Sequence, residues 1–285
     1  MVIKTNEDLS RYSLMRIGGI AKKLYVPESK MEMLELLKSL NEADSPYWII
    51  GGGSNVLISD LRTFDNVIYM GRFNKDFNLG SDEVFYVGAS VRLQYLIQNI
   101  NRLGYGGLEY LFSVPAMVGG AIVMNAGRGR AYNKSISDYV VKIEVIHNGE
   151  IKILEKEECQ FSYRHSLFKK GEYIVVGAYF KFPKMSIEET RMMREARILY
   201  SKEKQDASKP NLGSLLKKGN KFAYFLLRKT QLGYKDGIHF SGKCNNWLVN
   251  EGNGSYTQAM EVIEKSRKLH RLMFCKQELE VIIWH

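Results

Sequence analysis

The residues of this chain best placed to do chemistry carry almost no side chain. Gly51-Gly52-Gly53-Ser54-Asn55 lies between two short apolar runs, Tyr47-Trp48-Ile49-Ile50 and Val56-Leu57-Ile58. A stretch lacking Cβ atoms can curl until successive N–H groups converge on an anion such as a phosphate, although a simple glycine hairpin has the same composition. Strand-like runs on both sides exclude the dinucleotide fingerprint, whose pyrophosphate rests on a helix N-terminus. A second cluster, Ser113-Val114-Pro115-Ala116-Met117-Val118-Gly119-Gly120-Ala121 followed by Asn125-Ala126-Gly127, would let the backbone approach something large and flat. Pro115 stiffens its start, Gly119 and Gly120 clear space, and Asn125 offers both a donor and an acceptor. Close sheet packing is the alternative for this cluster; the two clusters together favour a bound ligand.

Other chemistries find less support. Gly129-Arg130-Ala131-Tyr132-Asn133-Lys134-Ser135 superficially suggests a P-loop, but its spacing is short and Asn133 stands where the second glycine is needed. The five histidines show no metal-ligand spacing, so no metal is expected. Cys159, Cys244 and Cys275 are far apart with no C-x-x-C pair, and read as free thiols in a reducing compartment. The net charge of +10 is spread along the chain without an arginine-rich tract, which argues against a nucleic-acid partner; it is foremost a solubility feature of the surface, with lining of a site for anionic small ligands as the alternative. Glu7 and Asp8 fall where a signal peptide needs an apolar core, and no run approaches the about 20 residues of a membrane span. A cytoplasmic protein without membrane insertion, acting as a monomer, is expected.

The glycine clusters need elements to hold them. A chain of 285 residues exceeds one small core, so two or three lobes are expected. Met31, Leu34, Leu37 and Leu40 recur at helical spacing over 30–41, and Leu93, Leu96, Ile97, Ile100 and Leu103 mark one face of a helix over 91–103. Runs at 66–70 and 84–87 read as strands, and 138–147 and 173–182 alternate with the period of half-buried strands. Asn148-Gly149 is a hairpin signal. Ser186 with Glu189 forms a capping box for a helix through Gln205, a second helix spans 257–273, and a final strand runs from 279 to 284. Three segments follow: 1–78, 79–184 and 185–285.

The motifs G-G-G-S-N and P-x-x-V-G-G-A with N-A-G resemble the FAD-binding domain of the vanillyl-alcohol-oxidase/PCMH type. Met15-Arg16-Ile17-Gly18-Gly19, Gly107-Leu108-Glu109-Tyr110-Leu111 and Phe161-Ser162-Tyr163-Arg164-His165-Ser166 narrow the resemblance to the UDP-N-acetylenolpyruvoylglucosamine reductase family. It extends over nearly the whole chain, through Gly213-Ser214, Lys243 to Asn250 and Glu280-Val281. The fold it implies is α+β: two FAD-binding lobes, 1–78 and 79–184, and an α+β substrate-binding domain, 185–285. No insertion for an extra substrate-covering loop is visible, as in the family's shorter type II form. The last third departs from the family. G-S-F-F-K-N-P reads Gly213-Ser214-Leu215-Leu216-Lys217-Lys218-Gly219, the histidine of K-H-A-N-F is Cys244 and its phenylalanine Trp247, and A-G-x-L-I reads Ala223-Tyr224-Phe225-Leu226-Leu227.

The resemblance implies FAD as cofactor, NADPH as co-substrate and a UDP-sugar as substrate, reduced on the way to peptidoglycan. It places the cofactor on Gly51, Gly52, Gly53, Ser54, Asn55, Pro115, Val118, Gly119, Gly120 and Asn125. Arg164 would stabilise charge developing on the substrate carboxylate, Glu280 would assist as a protonated acid, and Ser214 would give a proton to the adjacent carbon. Tyr163 and Lys217 would bind the substrate or NADPH. Two alternatives stay open: a related flavoenzyme with another substrate, and a silent nucleotide-sugar-binding protein.

Overall fold

A computed structural model describes residues 1–128 and 133–285. Gly129 to Tyr132, in the stretch compared with a P-loop, lie outside the described residues. The chain packs as two compact units: Met1–Lys4, Leu24–Gly52 and Asn66–Ile198 form one, and Thr5–Lys23, Gly53–Asp65 and Leu199–His285 the other. These divisions do not follow three successive segments. The chain passes between units five times, one of them inside the glycine cluster, and composition along the chain carries no mark of such returns.

The first unit is built on a five-stranded antiparallel sheet in the order Glu150–Glu155, Val140–His147, Ile174–Lys181, Val84–Gly88, Phe77–Leu79. Its expected hairpin turns at Asn148 and Gly149, whose φ angles of 51° and 78° both lie in the left-handed region, the geometry that matches strand twist in a two-residue loop. Helix α1 (Lys30–Glu42) starts where Ser29 Oγ accepts the Glu32 N–H. It buries Met33, Leu36, Leu37 and Leu40, while Met31, assigned to the buried stripe from spacing, is 65% exposed. Apolar residues at 31, 33, 34, 36, 37 and 40 serve two faces; packing against Ile68, Met70, Phe73, Ile146 and Val176 selects one. Helix α2 (Leu93–Arg102) buries Leu93, Leu96, Ile97 and Ile100 as its periodicity predicts. Leu103 is the C-cap and turns half out, 50% exposed. A short helix α3 (Val118–Val123) carries the second glycine cluster.

Helix α4 (Ile187–Lys204), with Ser186 Oγ accepting the Glu189 N–H, runs through the division at Ile198. The second unit has a four-stranded antiparallel sheet in the order Asn211–Ser214, Trp247–Asn250, Ile238–Phe240, Tyr234–Lys235, and a parallel pair, Ile282–Trp284 with Val56–Ile58. Two helices complete it: α5 (Lys221–Lys229), capped by Asn220, and α6 (Tyr256–Leu272), opened by a capping box between Ser255 and Gln258. One face of α6, with Ala259, Val262 and Ile263, joins Leu212, Leu215, Leu216, Tyr224, Leu227, Leu248 and Met15 in one core. The strands of the four-stranded sheet and α5 have too few residues for a period to stand out in the sequence, whereas the runs at 56–58 and 279–284 read as strands there.

His270 on α6 is fully buried, its Nδ1 2.8 Å from the Ser266 carbonyl and its ring edge-on to Tyr224 at 4.7 Å. Burial pushes its pKa down. Below an ordinary histidine value of about 6.5 the unfolded chain takes up a proton that the folded protein resists, so this contribution to stability is complete above that pH and is lost as pH falls towards the folded value. Thermal unfolding midpoints should decline as pH drops from about 7.5 to about 5.5, and His270→Gln should flatten the decline; an unchanged slope would remove His270 as its source.

Candidate functional site

In the first unit the two glycine clusters meet. A Cβ built on Gly52 would lie 3.3 Å from the Pro115 carbonyl oxygen, whereas Gly51 and Gly120 face open space. The other members of the second cluster are structural: Val118 is fully buried and its N–H donates to Val91 O, while the Gly119 N–H donates to Ala89 O and a Cβ there would sit 2.9 Å from that of Ala89. Close packing therefore takes Val118 and Gly119, while Gly51, Gly52, Pro115 and Gly120 stay at least partly exposed. Two buried hydroxyls, of Ser113 just before Pro115 and of Tyr110 in the preceding motif, have no hydrogen-bond partner among the described residues. Buried polar groups are almost always paired, so each of these hydroxyls has an open hydrogen-bonding position. Neither residue was singled out in the sequence, where a serine before Val-Pro and a tyrosine inside an apolar motif look like ordinary turn and core positions. The acid of that motif, Glu109, is fully buried, accepting from the Gly107 N–H at 2.9 Å and the Asn101 amide at 2.7 Å, so it shapes the turn.

Arg164 is held by the same region. It is the third residue of the turn Ser162-Tyr163-Arg164-His165, closed both ways by Ser162 N–H to His165 O and His165 N–H to Ser162 O, each 3.1 Å. Its φ of 53° belongs to a turn position where glycine or asparagine is usual. Its guanidinium donates to Gly127 O at 2.7 Å and Asn125 O at 3.4 Å, and covers the ring of the 42%-exposed Tyr163 at 5.5 Å. Asn125, itself at φ 41°, donates its amide to Ser162 O at 2.9 Å and receives the Ser137 N–H at 3.4 Å. Its side chain pins the Arg164 turn. Burial raises the Tyr110 phenol well above its usual range, and the Arg164 charge pulls the other way.

In the second unit Ser214 and Glu280 are brought together. Leu216 bridges Leu279, the Glu280 N–H donates to Leu215 O at 2.8 Å, and the Lys217 N–H donates to Glu278 O at 2.9 Å. Ser214 follows an irregularity in the pairing of Asn211–Ser214 with Trp247–Asn250, where Gly213 has φ 70° and open space before it. Such bulges re-aim the next side chain. Gly53 closes the glycine turn at φ 63°, so near Tyr12 that no Cβ could fit, and Asn55 ties the turn to the last strand by donating to Glu280 O at 3.0 Å while accepting the Ile282 N–H. Ser54 is half-buried. The Lys217 ammonium is ion-paired with Glu278. Asn246 grips the same segment: its Nδ2 donates to Leu216 O at 2.7 Å, its Oδ1 receives the Leu216 N–H at 3.0 Å, and its carbonyl receives the Leu215 N–H at 2.8 Å. Asn246 is the asparagine of the K-H-A-N-F stretch, but which backbone groups its amide holds cannot be read from spacing.

Residues 21–154 match the family model described as an FAD binding domain. The chain is 32% identical over 273 residues to UDP-N-acetylenolpyruvoylglucosamine reductase of Caldanaerobacter subterraneus, covering 94% of this chain and 89% of that one. It is 30% identical to the enzyme of the same name from Fusobacterium nucleatum over 99% of both chains. The crystal structure of UDP-N-acetylenolpyruvylglucosamine reductase from Thermus caldophilus superposes with a TM-score of 0.79 at 26% identity, covering 100% of this chain and 98% of that one. Glucooligosaccharide oxidase from Acremonium strictum, at 13% identity and a TM-score of 0.50 over 64% of this chain and 40% of its own, shares the fold alone. With likeness in sequence and backbone along its whole length, the chain belongs to the UDP-N-acetylenolpyruvoylglucosamine reductase family.

Proposed function

We propose that this protein reduces UDP-N-acetylenolpyruvoylglucosamine to UDP-N-acetylmuramate for peptidoglycan synthesis, with FAD as cofactor and NADPH as reductant. Beyond family membership, the observation that carries this reading is Arg164, a cation kept at a backbone position that favours glycine and braced by Asn125 and Gly127. A strained non-glycine residue persists where its surroundings hold it, and such residues gather at functional sites. Gly51, Gly52, Pro115 and Gly120, with the orphaned hydroxyls of Ser113 and Tyr110, are the residues that would hold FAD in the first unit.

FAD, when bound, would supply the hydride-transfer chemistry between NADPH and the methylene carbon of the enolpyruvyl ether. The chain's own residues manage the charge. Hydride addition pushes the double-bond electron pair towards the substrate carboxylate, which then carries a second negative charge. Arg164 offers a permanently charged, fork-shaped donor for those oxygens. Glu280, in its protonated form, would hydrogen-bond to the same carboxylate, and Ser214 would deliver its hydroxyl proton to the carbon next to it, completing the saturated product. Tyr163 and Lys217 would bind the nucleotide-sugar or NADPH, Lys217 by exchanging its Glu278 partner for a phosphate. We further propose that the enzyme works as a monomer in the cytoplasm; among the described residues no helix is long and apolar enough to cross a membrane.

Purified protein should be yellow, and its oxidation of NADPH should depend on added UDP-N-acetylenolpyruvoylglucosamine. A yellow protein inert towards that sugar would favour another substrate, and a colourless one that FAD cannot reconstitute would leave only a binding function. Ser214→Ala should leave flavin bleaching by NADPH intact while slowing reoxidation by the UDP-sugar about 100-fold or more, the ordinary contribution of a positioned proton donor. Equal slowing of both phases in stopped-flow absorbance would take Ser214 out of that role.

A further inference from the structure

Two of the chain's departures from the family motifs touch each other. A Cβ on Gly219, where the family has proline, would lie 2.2 Å from the ring carbon Cε2 and from the hydroxyl oxygen of Tyr224, where the family has glycine. Bulk stands at one position where the family has it at its neighbour in space, and the Tyr224 ring in this place leaves no room for a Cβ at 219. The incoming ring is 5% exposed, wedged against Phe240 at 5.9 Å and His270 at 4.7 Å. A buried phenol needs a partner for its hydroxyl. Tyr224 finds it in Asn246 Oδ1 at 2.5 Å, the oxygen that also receives the Leu216 N–H.

From there the chain of contacts is short. Asn246 holds Leu216 through both edges of its amide and Leu215 through its carbonyl, and Leu215 O receives the Glu280 N–H. Ser214 is the residue before this clamped pair. Taking the roles of Ser214 and Glu280 from the function proposed above, we propose that Tyr224 is a positioning residue: its hydroxyl fixes the Asn246 amide and thereby the backbone that presents Ser214 and Glu280. Without that hydrogen bond the Asn246 oxygen keeps only the Leu216 N–H, and the amide can rock about its Cβ–Cγ bond. The clamp loosens while the ring, its packing and the FAD-contacting unit stay as they are.

Tyr224→Phe, studied in the full-length FAD-loaded protein, separates the hydroxyl from the ring. Flavin reduction by NADPH should be unchanged, and reoxidation by the UDP-sugar should slow about fivefold, the ratio that corresponds to one ordinary neutral hydrogen bond. Hydrogen exchange of the amides over Ser214–Lys217 should speed up severalfold in the same variant, a readout that needs no turnover. Gly219→Pro alone should depress the unfolding midpoint, and Tyr224→Gly alone should do so too, whereas the double variant Gly219→Pro/Tyr224→Gly should recover most of the combined loss. If wild-type protein fails to oxidise NADPH with the UDP-sugar, the functional reading falls, while the exchange and coupling measurements still decide the role of Tyr224. Unchanged exchange in Tyr224→Phe, or purely additive losses in the double variant, would overturn it.

Discussion

A peptide N–H or C=O buried in a loop has no ladder to join, and leaving it unpaired costs about 1–3 kcal/mol. Four asparagines meet that demand around the candidate residues. Asn125 bonds Ser162 and Ser137 in the first unit; in the second, Asn55 bonds the Glu280 carbonyl, Asn246 bonds Leu216 twice, and Asn250 bonds Met15 O and receives the Gly252 and Gly254 N–H groups. A side-chain amide carries donor and acceptor on one rigid plane, so it can mimic a strand edge where no strand runs. Sites built on loops acquire in this way the fixed geometry that sheets and helices have by construction.

Backbone strain is distributed with the same economy. Gly53 and Gly213 take left-handed φ where the chain must turn sharply, the first because Tyr12 leaves no room for a Cβ, the second in front of open space. Arg164 adopts a similar φ without that freedom. An L-residue there gives up about 1 kcal/mol or somewhat more, offset by two guanidinium bonds to backbone carbonyls and two turn hydrogen bonds. The alternative, an arginine on a relaxed strand, would have its side chain alternate with the sheet and could not present the guanidinium from a turn apex.

What the sequence made legible follows from range. The helix over Leu93–Arg102 and the hairpin at Asn148-Gly149 rest on residues three or four apart or on one dipeptide, and both stand as read. The meeting of the two glycine clusters at Gly52 and Pro115 was anticipated from motif composition, but the split of labour between Gly120, which faces open space, and Val118 and Gly119, which pack, depends on Ala89 and Val91 some 30 positions away. Nor could spacing decide which face of Lys30–Glu42 would be buried, since its leucines suit two. The division into two units was invisible for the same reason: it is set by pairings such as Ile282–Trp284 with Val56–Ile58, more than two hundred residues apart.

The altered motifs of the last third look, residue by residue, like loss of function. In space they look different. Gly219 and Tyr224 are complementary, and burial that would make a lone phenol unfavourable is answered by Asn246, a residue the motif retains. Cys244 belongs to the same neighbourhood: a thiolate there would raise the Tyr224 phenol further, and burial pushes the thiol itself up from its usual value. The ring that enters at 224 takes the space a side chain at 219 would need, its hydroxyl is paired, and the backbone path from Asn246 through Leu215 to Glu280 is continuous.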